Sequence, residues 1–126
     1  MSRTGGRAAT RRRAFRLGRR AETLCVWHLR LRGYRILARR ARTPVGEIDI
    51  VARRGRVLAI VEVKARSSLD AAASAISARQ RDRIGRAAAH FLANRPQGGD
   101  TTVRYDAMLV APGRLPVHLP DAWREA

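Results

Sequence analysis

Apolar residues recur at helical spacing in two stretches of this 126-residue chain. The first stretch begins at Leu17 and predicts a helix over about 18–32, which ends at a glycine. The second stretch predicts an amphipathic helix over about 75–94 and is followed by proline and glycine residues. The segment 67–74, which precedes the second helix, is predicted to be a loop.

Other stretches alternate apolar and polar residues or are continuously β-rich, which is the pattern of strands. They are a short strand at 34–38, two runs at 46–52 and 57–66 that form a hairpin, and a strand at 101–110. The residues that follow are predicted to be a loop or an edge strand around 117–119. Strands interleaved with helices are typical of α/β proteins. We therefore expect one domain with a central mixed β-sheet flanked by helices.

The hairpin determines which side chains share a face, because paired residues of two strands project to the same side. A turn centred on residues 54–55 pairs Ala52 with Val57 and Asp49 with Ile60. The face that carries Ala52 and Val57 is apolar throughout, so we predict that it belongs to the core. The first face carries the carboxylates and the lysine of the hairpin, at Glu47, Asp49, Glu62 and Lys64.

Glu62 lies in a run, 57–63, that is otherwise apolar on both faces and is therefore predicted to be a central strand. A carboxylate there is costly unless it is paired or binds a metal ion. One interpretation is an ion pair between Glu62 and Lys64 or an arginine. The other is a metal site, because Asp49 lies diagonal to Glu62 in this register and oxygen pairs of this kind bind hard cations such as Mg²⁺ or Mn²⁺.

Lys64 stands out because the chain has 27 basic residues and all the others are arginine. A compact ammonium whose pKa can be tuned is able to orient or deprotonate a water molecule, which a guanidinium does poorly. Carboxylates, a lysine and a basic surface together match the requirements of phosphodiester hydrolysis. Asp106 is expected to stabilise a neighbouring arginine, and the three histidines show no metal-ligand spacing.

The net charge is +17, which points to a polyanionic partner such as nucleic acid. Residues 1–46 carry 14 arginines and one acid, a net of +13, whereas 47–126 carry only +4. We predict a flexible basic arm at 1–16, a folded domain at 17–120 and a tail at 121–126. Arginines of the basic third are expected to track a phosphate backbone without reading its sequence, namely Arg19, Arg20, Arg39, Arg40 and Arg42.

Composition also excludes several classes of protein. Cys25 has no second cysteine with which to form an intramolecular disulfide, which fits a cytoplasmic protein rather than a disulfide-stapled secreted one. Uncharged stretches are far shorter than the roughly 20 residues that a membrane span needs, so we expect no membrane segment. Arginines at 16, 19 and 20 interrupt the place where the apolar region of an export signal would lie.

Six short motifs, read together, resemble a known family. They are GRRAE at 18–22, GYRIL at 33–37, GEIDIVA at 46–52, VEVKAR at 61–66, RQRDRI at 79–84 and RYD at 104–106. In this order they resemble the YraN-like family of small bacterial predicted endonucleases, over about residues 17–110. The resemblance implies a restriction-endonuclease-like fold, similar to that of archaeal Holliday junction resolvases.

The resemblance also implies roles for particular residues. Asp49, Glu62 and Lys64 match the family's D…ExK core, in which the two acids hold Mg²⁺ or Mn²⁺ and the lysine acts on the attacking water. Glu22 matches an acid of the first helix that aids the metal. Gln80 matches a glutamine that helps to fix the lysine or the phosphate; from the residues alone it is an ordinary helix residue whose place on the apolar stripe favours an inward position.

Two functions therefore remain open. The first is a metal-dependent DNA endonuclease that acts on branched or single-stranded DNA, with DNA favoured over RNA. The second is a non-catalytic nucleic-acid-binding module that retains the nuclease fold. Resolvase-like relatives imply a homodimer as one candidate assembly, although no self-complementary patch can be identified in the sequence.

Overall fold

The computed structural model describes residues 18–124, so the predicted basic arm at 1–16 lies outside the described residues. Within them, helix α1 covers 18–31. It ends as predicted at Gly33, which has a φ of +88°. The N–H of Gly33 donates to the carbonyl of Arg30 and that of Tyr34 donates to the carbonyl of Leu29, both at 3.0 Å. This pattern is a Schellman motif, in which a left-handed residue is nearly always glycine.

Residues 18–124 contain five strands: β1 (Arg35–Arg42), β2 (Glu47–Arg54), β3 (Val57–Ala65), β4 (Thr102–Val110) and β5 (Val117–Trp123). They form one sheet in the order β1-β2-β3-β4-β5. Neighbours are antiparallel except for β3 and β4, which are parallel. The predicted mixed sheet is confirmed, and β3 is its central strand as expected.

The parallel pair needs a crossover, and two helices supply it: α2 (Leu69–Ser74) and α3 (Ala78–Asn94). The prediction of a loop at 67–74 was wrong. Ser68 caps α2 by accepting a hydrogen bond from the Ala71 N–H, and Ala72 is buried. A run of alanines has high helix propensity but no large apolar residue to mark a period, so its helical character was hidden in the pattern.

Helices cover both faces of the sheet. On one face α3 packs through Ile84 and Phe91 against a cluster that includes Leu58 and Ile60. On the other face α1 packs through Leu29 against a cluster of strand residues. Among the described residues, no helix is long and apolar enough to cross a membrane. The result is a small α/β domain with a layer of helix on each side of the sheet, consistent with a restriction-endonuclease-like fold.

The register of the β2–β3 hairpin differs from the prediction by two residues. Ala52 pairs with Ala59 and Arg54 pairs with Val57, so the turn is Gly55–Arg56. Gly55 has a φ of +61°, the left-handed region that glycine favours in a two-residue hairpin turn. A shift of two preserves the alternation of faces along most of the hairpin. Ile48 is an exception, because it packs with Val51 on the α3 side, whereas Ile50, which was predicted to share its face, packs on the α1 side.

Two predicted boundaries also moved. β1 is longer than the predicted 34–38 strand because it continues, through a bulge between Ile36 and Ala38, to Arg42. β5 runs to Trp123, past the expected start of a tail at residue 121. The Trp123 ring is buried and stacks on Tyr105 with ring centroids 5.8 Å apart. These apolar contacts explain why the chain remains in the sheet beyond Pro120.

Candidate active site where β2 and β3 separate

Asp49 lies where the two strands of the hairpin part. The ladder of paired residues ends at Ile50 and Val61. Beyond this point the Val63 N–H donates to Asp49 Oδ2 at 2.8 Å. The sequence had predicted that Asp49 pairs within the ladder, diagonal to Glu62. The structure instead leaves Asp49 just beyond the last ladder pair, where the negative charge of Glu62 still acts on its carboxyl.

Glu62 and Lys64 form an ion pair on β3, with Lys64 Nζ 3.1 Å from Glu62 Oε1. Their side chains are only 10% and 11% exposed. The pairing of Glu62 with Lys64, which the sequence left as one of two interpretations, is thus present. The ion pair engages only one oxygen of the carboxylate, Oε1, so it does not exclude a cation bound at the other.

The ionisation of Asp49 is strongly perturbed. Burial raises the pKa of its carboxyl from 3.8 to about 7, and the negative charges of Glu62 and Glu22 act in the same direction. The Val63 N–H and the Lys64 ammonium oppose this shift but are weaker than burial. A buried carboxylate that faces other carboxylates is stabilised in its charged form by a cation. The local electrostatics therefore favour positive charge beside Asp49.

Glu22 on α1 is buried and is held by two arginines of β1. Its Oε1 accepts from Arg39 Nε at 3.1 Å and its Oε2 accepts from Arg40 Nε at 3.0 Å. Arg40 has a φ of +49°, which is unusual for a residue with a side chain. Both oxygens of Glu22 are thus engaged by guanidinium groups, which fixes the two arginines beside it.

A pocket of about 340 Å³ joins these elements. Of the predicted residues it gathers Glu22, Asp49 and Lys64, with Arg19 and Arg40 beside them. It also includes two charged residues that were absent from the predicted site, Glu47 and Arg66. The alternation of β2 had already placed Glu47 on the same face, and Arg66 continues the Glu62–Lys64 spacing of two, so both could have been predicted.

Gln80 is engaged elsewhere. It forms a capping box with Ser77 at the start of α3: the Gln80 N–H donates to Ser77 Oγ and the Ser77 N–H donates to Gln80 Oε1, each at 3.2 Å. It is not among the described residues that line the pocket. Arg20 is exposed on α1, and Arg42 lines a separate groove between β1 and α3. The structure does not bring these three predicted residues together with the pocket acids.

The family resemblance implies a bound Mg²⁺ or Mn²⁺ ion, which would need carboxylate ligands from this site. Within the described residues, no group of three or more His, Cys, Asp or Glu side chains is arranged to hold a metal ion. Asp49 and Glu62 are the pair that fits, because Mg²⁺ commonly binds through one or two carboxylates and completes its shell with water and substrate phosphate. Glu22, whose oxygens accept from arginines, fits less well as a direct ligand.

The sequence matches a known protein family over most of its length. Residues 21–110 match the model of the family described as "Uncharacterised protein family UPF0102". The chain belongs to this family. UPF0102 is the YraN-like group that the six sequence motifs resemble, so that resemblance is confirmed. The matched range begins in α1 and ends with β4, and it contains Glu22, Asp49, Glu62 and Lys64.

Individual UPF0102 proteins are similar over nearly the whole chain. One from Parvibaculum lavamentivorans is 58% identical over 119 residues, which cover 94% of this chain and 90% of the relative. One from Methylorubrum extorquens is 53% identical over 115 residues, covering 91% and 90%. One from Caulobacter vibrioides is 51% identical over 110 residues, covering 87% and 88%.

Proposed function

We propose that this UPF0102 protein is a metal-dependent phosphodiesterase that cleaves DNA, with branched or single-stranded DNA as the preferred substrate. The observation that carries the proposal is a pocket, flanked by arginines, that holds the half-buried Asp49 beside Lys64. Glu62 pairs with that lysine, and its charge acts on Asp49. Such a constellation supplies a cation site, a proton-handling group and phosphate contacts within one cleft.

The roles follow from the contacts. A Mg²⁺ or Mn²⁺ ion held by Asp49 and Glu62 would supply charge neutralisation and lower the pKa of a bound water. Lys64 is fixed by its 3.1 Å contact to Glu62, so its ammonium would orient the attacking water, or its neutral amine would accept a proton from that water. Arg19, Arg40 and Arg66 contact phosphate and stabilise the charge that develops on its oxygens.

The test is a cleavage panel of single-stranded, duplex and branched DNA, with RNA counterparts, in Mg²⁺ or Mn²⁺. Glu62→Ala combined with Lys64→Ala should abolish cleavage, and Lys64→Met alone should slow it by about 10²–10⁴-fold, as expected on loss of a proton-transfer group. Asp82→Asn is the matched control, because Asp82 is an exposed acid that pairs with Arg86 on α3. If the double variant cuts as fast as the wild type, the assignment is refuted.

One observation favours a second candidate, a nucleic-acid-binding module without catalysis. The ion pairs of Glu62 with Lys64 and of Glu22 with two arginines neutralise pocket acids using protein groups alone. Such a module would bind DNA equally well in EDTA, and calorimetry would detect no Mg²⁺ or Mn²⁺ binding. The catalytic proposal requires metal binding that Asp49→Asn removes. Binding in both cases should weaken steeply with salt, so salt dependence does not separate them.

A further inference from the structure

A second polar cluster lies at the other end of the sheet. It surrounds a pocket of about 340 Å³ that shares no lining residue with the candidate active site. The two pockets lie at opposite ends of β2, because Glu47 lines the first and Arg54 lines the second. Seven residue steps along a strand span about 23 Å, so the second pocket is a separate feature.

Two residues that line this pocket, Arg104 and His118, are held from behind by Asp106, which is fully buried. Its carboxylate accepts from Arg104 Nε and Nη2, both at 2.8 Å, from the Asp121 N–H at 3.0 Å, and contacts His118 Nε2 at 2.7 Å. The Arg104 and His118 contacts keep the pKa of Asp106 below its usual value although burial opposes them. With its oxygens so engaged, Asp106 fixes the directions of Arg104 and His118.

The walls add further cations in fixed positions. Arg104 Nη2 also donates to the Tyr34 hydroxyl at 2.6 Å, and the Arg54 guanidinium stacks on the Tyr34 ring at 4.4 Å from its centroid. Arg54 Nη1 donates to the Arg32 carbonyl at 3.1 Å. This bond covers a carbonyl at the end of α1 that would otherwise repel an anion.

The cluster has more positive than negative charge. Arg104 is the lining arginine that pairs with Asp106, whereas Arg32 and Arg54 have no carboxylate partner among the described residues. His28 also lines the pocket, and its Nε2 is a buried nitrogen with no hydrogen-bond partner in the described part of the chain. Buried polar atoms are nearly always hydrogen-bonded in native proteins. An unpartnered ring nitrogen beside guanidinium groups that lack a carboxylate partner suits an anionic ligand.

We propose that this pocket binds a phosphate group. Arginine forks donate paired N–H groups that match phosphate oxygens, and an imidazole N–H can supply a further donor. The phosphate can be free, or it can belong to a nucleotide or a nucleic-acid chain. If it belongs to a nucleic-acid chain, the 23 Å separation from the candidate active site corresponds to about seven base pairs of duplex. The proposal does not depend on catalysis at Asp49.

The three histidines of the chain provide a site-resolved test. Two of them, His28 and His118, line this pocket, while His90 lies on α3 beside a different groove. Inorganic phosphate is titrated into the full chain at constant pH and ionic strength, and the imidazole signals are followed by NMR. We expect the His28 and His118 signals to shift along one saturable curve with a common Kd, and the His90 signal not to follow it.

Variants separate this site from general attraction to a highly basic protein. Arg32→Gln combined with Arg54→Gln should raise the phosphate Kd by at least about tenfold, whereas Arg79→Gln, which removes an exposed arginine of α3, should leave it unchanged. Thermal melting confirms that each variant is folded. The proposal is overturned if the His28 and His118 shifts do not saturate, or if the double variant binds phosphate as the wild type does.

A second titration identifies the source of the phosphate. If a 5′-phosphorylated dinucleotide shifts the same two signals at a lower concentration than inorganic phosphate, and the unphosphorylated dinucleotide does not, then the site binds the terminal phosphate of a nucleotide. Equal response to both dinucleotides assigns the backbone phosphate, and a response to inorganic phosphate alone assigns the free ion. Arg54→Gln should weaken whichever response is seen. Cleavage assays are independent of this readout, so failure of the proposed nuclease function would be recognised separately.

Discussion

Asp49 should make the folded protein less stable as pH rises. Burial raises the pKa of its carboxyl in the folded chain from 3.8 to about 7. Between these two values the folded state keeps a proton that the unfolded state has released. The free energy of unfolding therefore falls as pH increases through this window and levels off above it. Below pH 3.8 both states are protonated, and the full stability is retained.

The size of the effect follows from the same pKa values. The interval from 3.8 to about 7 corresponds to about 4 kcal/mol at 1.36 kcal/mol per pH unit. This free energy is an upper limit, because part of the shift arises from the charge of Glu62 and so belongs to the pair of carboxylates rather than to Asp49 alone. Between pH 5 and pH 8 the loss amounts to about 3 kcal/mol. Asp49→Asn removes the charge and retains an oxygen that can accept from the Val63 N–H, so this part of the pH dependence should disappear.

Urea denaturation followed by far-UV circular dichroism at pH 5 and pH 8, in EDTA, measures the difference directly. The wild type should lose about 3 kcal/mol more than Asp49→Asn between the two pH values. Asp82→Asn, in which an exposed acid is replaced, should behave as the wild type does. Adding Mg²⁺ at pH 8 should recover stability in the wild type and not in Asp49→Asn. Parallel pH profiles for wild type and Asp49→Asn would refute the assignment of a raised pKa.

Asp106→Ala should lower the free energy of unfolding, measured by urea titration, by about 3–5 kcal/mol, because its buried cationic and polar partners lose their counter-charge. In the same titration the control Asp82→Asn should change the free energy of unfolding by less than about 0.5 kcal/mol. Glu22→Gln should cost only about 1 kcal/mol in denaturant titrations, since the arginines it binds are about a third exposed. Ser77→Ala and Gln80→Ala should each lower the free energy of unfolding by about 1 kcal/mol, because each removes the capping box of α3. The double variant should lose less than the sum of the two single losses in thermal melts, and fully additive losses would contradict a shared cap.

The hairpin shows how far a sequence pattern can lead. Alternation placed Asp49, Glu62 and Lys64 together because the period of a strand is two, and that period survives any even shift of register. The register itself was wrong because the turn sequence Arg-Arg-Gly-Arg allows glycine in more than one turn position. The position of the glycine within the turn depends on how the flanking strands pair, and that pairing could not be predicted from the sequence.

Other features depended on contacts distant in sequence. Asp106 was expected to stabilise a neighbouring arginine, and Arg104 two residues before it does so. The approach of His118 from β5, however, depends on how β4 and β5 pair. The same holds for Glu22, whose arginines come from an edge strand that was predicted to end at residue 38. A charge pattern shows which residue types are available, but strand pairing and helix packing decide which of them meet.

The sheet combines two kinds of strand connection with different consequences for folding. Strands β1, β2 and β3 are joined by short turns, whereas β3 and β4 pair across residues 66–101. Closing a long loop costs more chain entropy than closing a short one, so we expect the crossover to be the slower step. Asp49, Glu62 and Lys64 all lie in the local meander, which can bring them together early. Only later packing removes water from Asp49, so in a folding intermediate with the meander alone its carboxyl would have a pKa closer to 3.8 than it has in the folded protein.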